Sequence, residues 1–295
     1  MPARAADGPS PWPAGAAERV EVGAGMRKRI TVVIPTYNVE RIIARCLDAL
    51  GWADEVNIVD MYSTDRTREI CERYPNVRFY QNQDYIYGNV NYGIQRASHP
   101  WVMRLDSDEV VTPELAREIQ EVVLAERDPR YSGFFVPNRV YFFGRWIRYG
   151  PAFDPRSPVP GEAYRKLIFR RGTASYSCER EHEDLTTSGD YGFLRNHYLH
   201  YSHESISAWI AKMNYYTDRD VERTPLEGIV LPSFSRIRLL YWLLHNFYGL
   251  YIAKHGYRDG FHGFVVCLLN AWYPIIHQLK LWENRWNAEN RPATP

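Results

Sequence analysis

Paired cysteines are missing from this chain: Cys46, Cys71, Cys178 and Cys267 stand singly, without a C-x-x-C. That argues against a zinc site or a disulfide framework and fits a reducing cytoplasm. An excess of charge of one sign is missing too, since 36 Lys and Arg meet 35 Asp and Glu for a formal +1. No global basic field therefore points to nucleic acid. Neither G-x-G-x-x-G nor the P-loop spacing occurs, so any nucleotide is held without a phosphate-cradling glycine loop. No H-E-x-x-H marks a helical zinc site, although four His and four acidic residues crowd EREHEDL (179–185) and HYLHYSH (197–203). Residues 1–25, rich in Pro, Ala and Gly, lack the apolar core of a signal peptide and read as a disordered lead-in with no export signal. The last sixty residues hold no uninterrupted apolar run of membrane-spanning length.

What is present is the pattern of an α/β domain. With 295 residues and 45% hydrophobic content, the chain can build one large or two small domains around a real core. Ile30 to Ile34 (ITVVI) is a β-branched run closed by Pro35, as in a parallel strand buried on both faces. Ile42, Ile43, Cys46, Leu47 and Leu50 then recur at helical spacing before Gly51. Val56 to Val59 predicts a second strand ending in Asp60, with Ser63, Thr64 and Asp65 as N-cap candidates for a helix carrying Ile70 and Cys71. Val77 to Tyr80 predicts a third strand and Gly88 to Ala97 a short helix. Such alternation predicts a mostly parallel sheet with helices on both faces and right-handed crossovers. Beyond a helix expected over Pro113 to Glu126, aromatic strands at Gly133 to Pro137, Arg139 to Arg148 and Lys166 to Arg171 suggest a smaller sheet.

The chemistry concentrates in Trp101 to Val111 (WVMRLDSDEVV), a short apolar strand that runs into Asp106, Ser107, Asp108 and Glu109. In an open α/β sheet, ligands bind outside the carboxyl ends of the strands. Carboxylates are hard donors, so Asp106 and Asp108 can share a divalent metal and a sugar hydroxyl or phosphate. Capping of the helix opened by Pro113 is the competing reading of an isolated Asp-Ser-Asp.

Four segments in order, VVIPTYN, IVDMYSTDRT, NYGIQRA and WVMRLDSDEVV, resemble the donor-site segments of family 2 glycosyltransferases with the GT-A fold. The resemblance implies a GT-A (Rossmann-like) sheet and a nucleotide-sugar donor whose base is held by Pro35, Thr36, Tyr37 and Asp60. It adds Asn91 to the donor set and gives ribose and divalent metal, Mg²⁺ or Mn²⁺, to Asp106 and Asp108. The chain departs from the family near Met61 and Tyr62, where Gly or Asn is common, and near Val90, where a basic residue often precedes the position of Asn91. Further along, His182-Glu183-Asp184-Leu185, His200-Tyr201-Ser202 and Lys212-Met213-Asn214-Tyr215 resemble the HE, HYS and K-x-N-x-Y segments of the branch containing lipopolysaccharide-core glucosyltransferases. The segments Arg258-Asp259-Gly260 to Gly263 and Lys280-Leu281-Trp282-Glu283 also resemble that branch, so the likeness spans nearly the whole chain after Met26. It implies Glu183 as the catalytic base of an inverting transfer, an ion pair with an arginine such as Arg170 being the competing role. His200 is either a further metal ligand or a hydrogen-bonded structural residue.

The expected organisation is a tail over 1–25, a GT-A domain over 26–232 and a helical extension over 233–295. In the extension Leu239, Leu240, Leu243, Leu244, Phe247, Leu250 and Tyr251 form one stripe, flanked by Arg236, Arg238, Lys254 and Arg258. Such a stripe either lies on an anionic bilayer or packs on the protein. Aromatics at 15% suit sugar stacking, membrane interfaces and packed cores alike. The expected function is metal-dependent transfer from a nucleotide sugar, a UDP-sugar, to a saccharide or lipid-linked saccharide of the cell envelope. Its place would be the cytoplasm or the inner face of the cytoplasmic membrane. The rival readings are a peptide or polyprenyl phosphate acceptor, or a non-catalytic nucleotide-sugar binder.

Overall fold

The computed structural model describes residues 28–155, 157, 159–178, 184–224 and 236–290. The chain order is β1 (Ile30–Thr36), α1 (Ile43–Asp48), β2 (Glu55–Asp60), α2 (Thr67–Cys71), β3 (Val77–Gln81), α3 (Ile86–Gln95), β4 (Trp101–Arg104), β5 (Glu109–Val111) and α4 (Pro113–Glu118). There follow β6 (Tyr131–Phe142), β7 (Arg145–Trp146), β8 (Glu162–Arg170), β9 (Ala174–Ser175), β10 (Thr186–Thr187), β11 (Asp190–Phe193), β12 (Tyr198–His203), α5 (Ile206–Arg223), α6 (Arg236–Tyr248) and α7 (Gly260–Asn290). Two compact units result, one of Met1–Val136 with Lys166–Asn196, the other of Pro137–Arg165 with His197–Pro295.

In the first unit the sheet order β3-β2-β1-β4-β8 places β1 between parallel neighbours, and β8 runs antiparallel to β4 through Ile168 to Arg170. All seven residues of β1 are buried, as its unbroken apolar run requires of a strand covered on both faces. Pro35 is tolerated inside this central strand because β4 pairs only with Ile30 to Val33. Leu105 donates to the Val33 carbonyl, so the missing N–H of Pro35, two residues on, faces the side that β4 has already left. Gly93 lets α3 lie directly on the sheet, since a Cβ there would stand 2.4 Å from Val33 Cγ1. The helix expected over Pro113 to Glu126 starts as predicted, with Thr112 Oγ1 accepting the Leu115 N–H at 3.3 Å. It then widens to a π turn over Ile119–Val123, where the buried Gln120 amide donates to the Ala116 carbonyl.

The break expected at Pro137 does not occur: β6 is one strand of twelve residues. It pairs with β11 up to Phe135 and with β12 from Asn138, so the proline falls where the partner changes and no ladder bond is lost.

In the second unit, two of the segments that resemble the lipopolysaccharide-core branch turn out to be packing devices. Asp259, almost fully buried, accepts the backbone N–H groups of Arg148 and Tyr149 at 2.9 and 2.8 Å. Lys280 of α7 donates to Asn214 Oδ1, Thr217 Oγ1 and Asp218 Oδ1 of α5 at 2.6, 2.9 and 2.6 Å. The stripe on α6 divides: Leu239, Leu243, Phe247, Leu250 and Tyr251 are half-buried, with Phe247 stacked on Tyr251 and edge-on to Phe264. Ile237, Leu240, Tyr241, Leu244 and Tyr248 face outward, Ile237 at 82% exposure. One sequence expectation needs correcting, because the helical span Gly256–Asn290 is long and apolar enough to cross a membrane by length and composition. His262, Asn270 and His277 interrupt its apolar run, but none carries a fixed charge, so the stretch as a whole stays apolar.

Candidate active site

The strand order reverses between β1 and β4: the chain leaves β1 for β2 and β3 on one side and returns to β4 on the other. Ligands of open α/β sheets bind outside the carboxyl ends of the strands at such a point. Three successive strand ends meet there, β2 ending in Asp60, β1 in Thr36 and β4 running into Asp106.

Asp60 is fully buried, and its carboxylate is fixed from three directions. Oδ1 accepts from Thr36 Oγ1 at 3.0 Å and Ser63 Oγ at 2.5 Å, while Oδ2 accepts the Ser63 N–H at 2.8 Å. Each carboxylate oxygen has two lone pairs, so Oδ2 keeps capacity for one further donor. Ser63 and Thr64, expected as helix caps, instead tie the loop after β2 to the loop after β1, while Asp65 does both, accepting the Thr67 N–H at the start of α2 at 3.0 Å as well as a bond from the loop after β1. Asn38 N–H donates to Ser63 Oγ and Thr64 N–H to Asn38 Oδ1, both at 2.8 Å. Asp65 accepts the Glu40 N–H at 3.0 Å, and Glu40 Oε2 accepts the Arg66 N–H at 2.9 Å. Burial pushes the Asp65 carboxyl up, but bonds from Thr67 and the Glu40 N–H outweigh it and hold the group below its ordinary value. Tyr37, at 51% exposure, projects from this braced edge.

The acidic turn after β4 gives its three carboxylates different tasks. Glu109 is fully buried and accepts the Asp106 N–H at 2.9 Å, while its own N–H donates to the Asp106 carbonyl at 3.0 Å, closing the turn. Asp106 Oδ1 is paired with Arg104 Nη2 at 2.7 Å. Asp108 is half-buried. Behind them lies Cys46, whose thiol is raised well above its ordinary pKa by burial and then by the charges of Glu109, Asp108 and Asp106. Among the described residues, no three His, Cys, Asp or Glu side chains form a metal cage. This donor set does not suit a closed structural site. It does suit Mg²⁺ or Mn²⁺ of the kind held by one or two carboxylates, with substrate phosphates and water completing the octahedron.

The other sequence candidates stand on other elements or outside the described residues. Asn91 uses both ends of its amide on the Tyr176 backbone, donating to the carbonyl at 2.8 Å and accepting the N–H at 2.9 Å. That geometry ties α3 to the segment after β9. Val90 is in the core, so no cation could stand there, and the cation near the acidic turn is Arg104. His200 stands on β12 of the second unit, opposite Val140, whereas Asp106 and Asp108 belong to the first. Glu183 lies outside the described residues. The arginine that competed for it, Arg170, is bound to Glu126 Oε1 at 2.7 Å and to the Tyr131 carbonyl at 3.3 Å. Sequence reasoning missed Arg104, Glu109 and Ser63 as the residues that fix the carboxylates. Their spacing of two or three residues from Asp106 or Asp60 is the signal that was there to be read.

A mostly parallel sheet with a braced edge and an acidic turn at its switch point is the arrangement expected of a GT-A glycosyltransferase. A family model described as Glycosyl transferase family 2 matches residues 31–178, half of the chain, and the chain belongs to that family. It is similar to LpsC of Rhizobium meliloti, a lipopolysaccharide core biosynthesis glycosyltransferase, with 26% identity over 86% of this chain and 92% of that one. An uncharacterised glycosyltransferase of Rickettsia typhi shares 24% identity over 89% of this chain and 90% of its own. Among solved structures, Staphylococcus aureus TarS 1-349 is similar at 16% identity and a TM-score of 0.44, over 83% of this chain and 89% of that one.

Proposed function

We propose that this glycosyltransferase moves a sugar from a UDP-sugar to a hydroxyl of a saccharide or lipid-linked saccharide in cell-envelope glycan synthesis, with inversion at the anomeric carbon. The observation that carries the donor reading is the buried, cross-braced Asp60 beside exposed Tyr37 at the switch point. A carboxylate fixed in this way can accept an N–H of the base, as uracil offers, once the base displaces the groups that cover Asp60 in the unliganded protein, and Tyr37 can lie along the ring. Asp106 and Asp108 are the proposed holders of Mg²⁺ or Mn²⁺, with His200 carried as a further donor on the resemblance of its segment alone. When bound, the ion supplies Lewis-acid stabilisation to the charge that gathers on the departing diphosphate. Arg104 keeps Asp106 oriented through their ion pair. Glu183 is the proposed base that takes the proton of the attacking hydroxyl. In support, the flanking residues Tyr176 and Leu185 are both anchored in the core cluster around α3 and β8. The LpsC relationship favours a lipopolysaccharide-core acceptor over a peptide or a polyprenyl phosphate.

A thermal-shift panel tests the donor reading, because a ligand that binds only the native state raises its apparent stability by RT ln(1 + [L]/Kd). UDP-sugars with Mn²⁺ are expected to raise Tm more than GDP- or CDP-sugars do. A panel in which no nucleotide stabilises the protein would reject it.

For location we propose peripheral attachment at the inner face of the cytoplasmic membrane through α6. From 236 to 258 the chain carries Arg236, Arg238, Lys254 and Arg258 and no acidic residue, beside the outward row Ile237, Leu240, Tyr241, Leu244 and Tyr248. In flotation, the protein is expected to rise with phosphatidylglycerol-containing liposomes at low salt, and Leu240→Asp/Leu244→Asp to stay below. Wild-type protein remaining in the soluble fraction would leave α6 as a packing element.

A further inference from the structure

Tyr62 is a residue that its own backbone disfavours. It has φ of +57°, in the left-handed region where a Cβ is crowded and where Gly or Asn is the usual occupant. The surrounding bonds impose this turn. Met61 N–H donates to the Thr36 carbonyl at 2.9 Å, extending the β1–β2 ladder by one residue, while Ser63 is drawn back to Asp60 by both its N–H and its hydroxyl. Residue 62 must reverse the chain between those two anchors. A glycine would do so without strain.

The tyrosine is only half covered in return. Its ring is 51% exposed, and among the described residues it has neither a hydrogen-bond nor an aromatic partner. The same holds for Tyr37, also at 51%, on the loop after the neighbouring strand. Two open aromatic faces thus follow the ends of β1 and β2, on either side in sequence of a carboxylate with one acceptor position to spare. Strain held at such an edge without a structural return is the mark of a residue kept for a ligand.

We propose that Tyr62 is a donor-affinity residue, its ring held out to stack on the heteroaromatic base of the nucleotide whose ring N–H Asp60 receives. This rests on the donor reading above and deepens it. Stacking is indifferent to which base is present, so Tyr62 supplies affinity for the base, while Asp60 supplies the preference for one with a ring N–H. Binding of the diphosphate belongs to a different part of the edge, Asp106 and Asp108, and is independent of Tyr62.

The test compares wild type with Tyr62→Gly, Tyr62→Asn and Tyr62→Phe in calorimetric titrations with UDP and, separately, with pyrophosphate, both with Mn²⁺. Each unliganded variant is also melted. Tyr62→Gly and Tyr62→Asn should melt no lower than wild type, because they suit the left-handed backbone. Both should bind UDP roughly tenfold or more weakly, the usual worth of one base–aromatic stack, and bind pyrophosphate unchanged. Tyr62→Phe should retain UDP affinity. If Tyr62→Gly binds UDP as wild type does, or loses UDP and pyrophosphate equally, Tyr62 has no part in reading the base. Failure of wild-type protein to bind any nucleotide would instead remove the donor reading, and the role of Tyr62 with it.

Discussion

Glu183→Gln is expected to lower turnover by roughly 10² to 10⁴, the usual share of general-base catalysis, while leaving UDP-sugar affinity intact. Direct displacement at the anomeric carbon needs a group that accepts the proton of the acceptor hydroxyl as the new bond forms and the diphosphate leaves. A carboxylate can take that proton, and the glutamine isostere keeps the shape and removes the base. The effect should therefore fall on kcat, with donor Kd unchanged, when sugar transfer and donor titration are measured on the same preparation. The product should carry the opposite anomeric configuration to the donor. Near-wild-type turnover in the glutamine variant, or retained configuration, would transfer the search to the neighbouring Asp184.

Asp108→Ala is expected to abolish the Mn²⁺-dependent part of UDP binding in a protein that still folds. The acidic turn is closed by Glu109 and the Asp106 backbone, and the strand that leads into it is buried. A ligand at 100 times its Kd stabilises the native state by about 2.7 kcal/mol. For a unit of this size that corresponds to a Tm rise of roughly 5 to 10 °C, which the variant should lose while its unliganded melting point stays within a degree or two. Unchanged Mn²⁺ dependence would move the metal away from Asp108. By contrast, Asp60→Ala should weaken UDP binding with the Mn²⁺ dependence retained, because its carboxylate lies at the β2 end with Thr36 and Ser63.

The parallel strands were legible because burial on both faces leaves an unbroken apolar run, as in ITVVI, and little else in a soluble chain looks like that. The start of α2 was legible only in part, because Asp65 accepts the Thr67 N–H as a cap does, whereas Ser63 and Thr64 have the side chains of caps but bond across to Asn38 and Asp60. Sequence pattern carries no sign of which partner a hydroxyl or carboxylate will choose when several lie within three residues. The same holds for Asn91, whose partner Tyr176 lies 85 residues away. Pro137 looked like a strand end because proline removes a ladder donor; only the change of partner from β11 to β12 at that residue makes it harmless. The acidic turn itself was plain, and the spacing put Arg104 and Glu109 within reach of Asp106; that Glu109 closes the turn from a fully buried position was not visible in it. At Tyr62 the departure from the family pattern was visible in the sequence, and its left-handed backbone supplies the meaning.

Photolabelling with 5-azido-UDP-glucose in the presence of Mn²⁺, followed by peptide mapping, tests most directly whether the β1–β2–β4 edge is the donor site. The label should fall on peptides containing Tyr37 or Tyr62 and disappear when excess UDP is added. The alternative to watch is the polar cavity of about 670 Å³ lined by Asn91, Gln95, Arg171 and Thr187. UDP-protected label confined to that cavity, or to the second unit, would contradict the account.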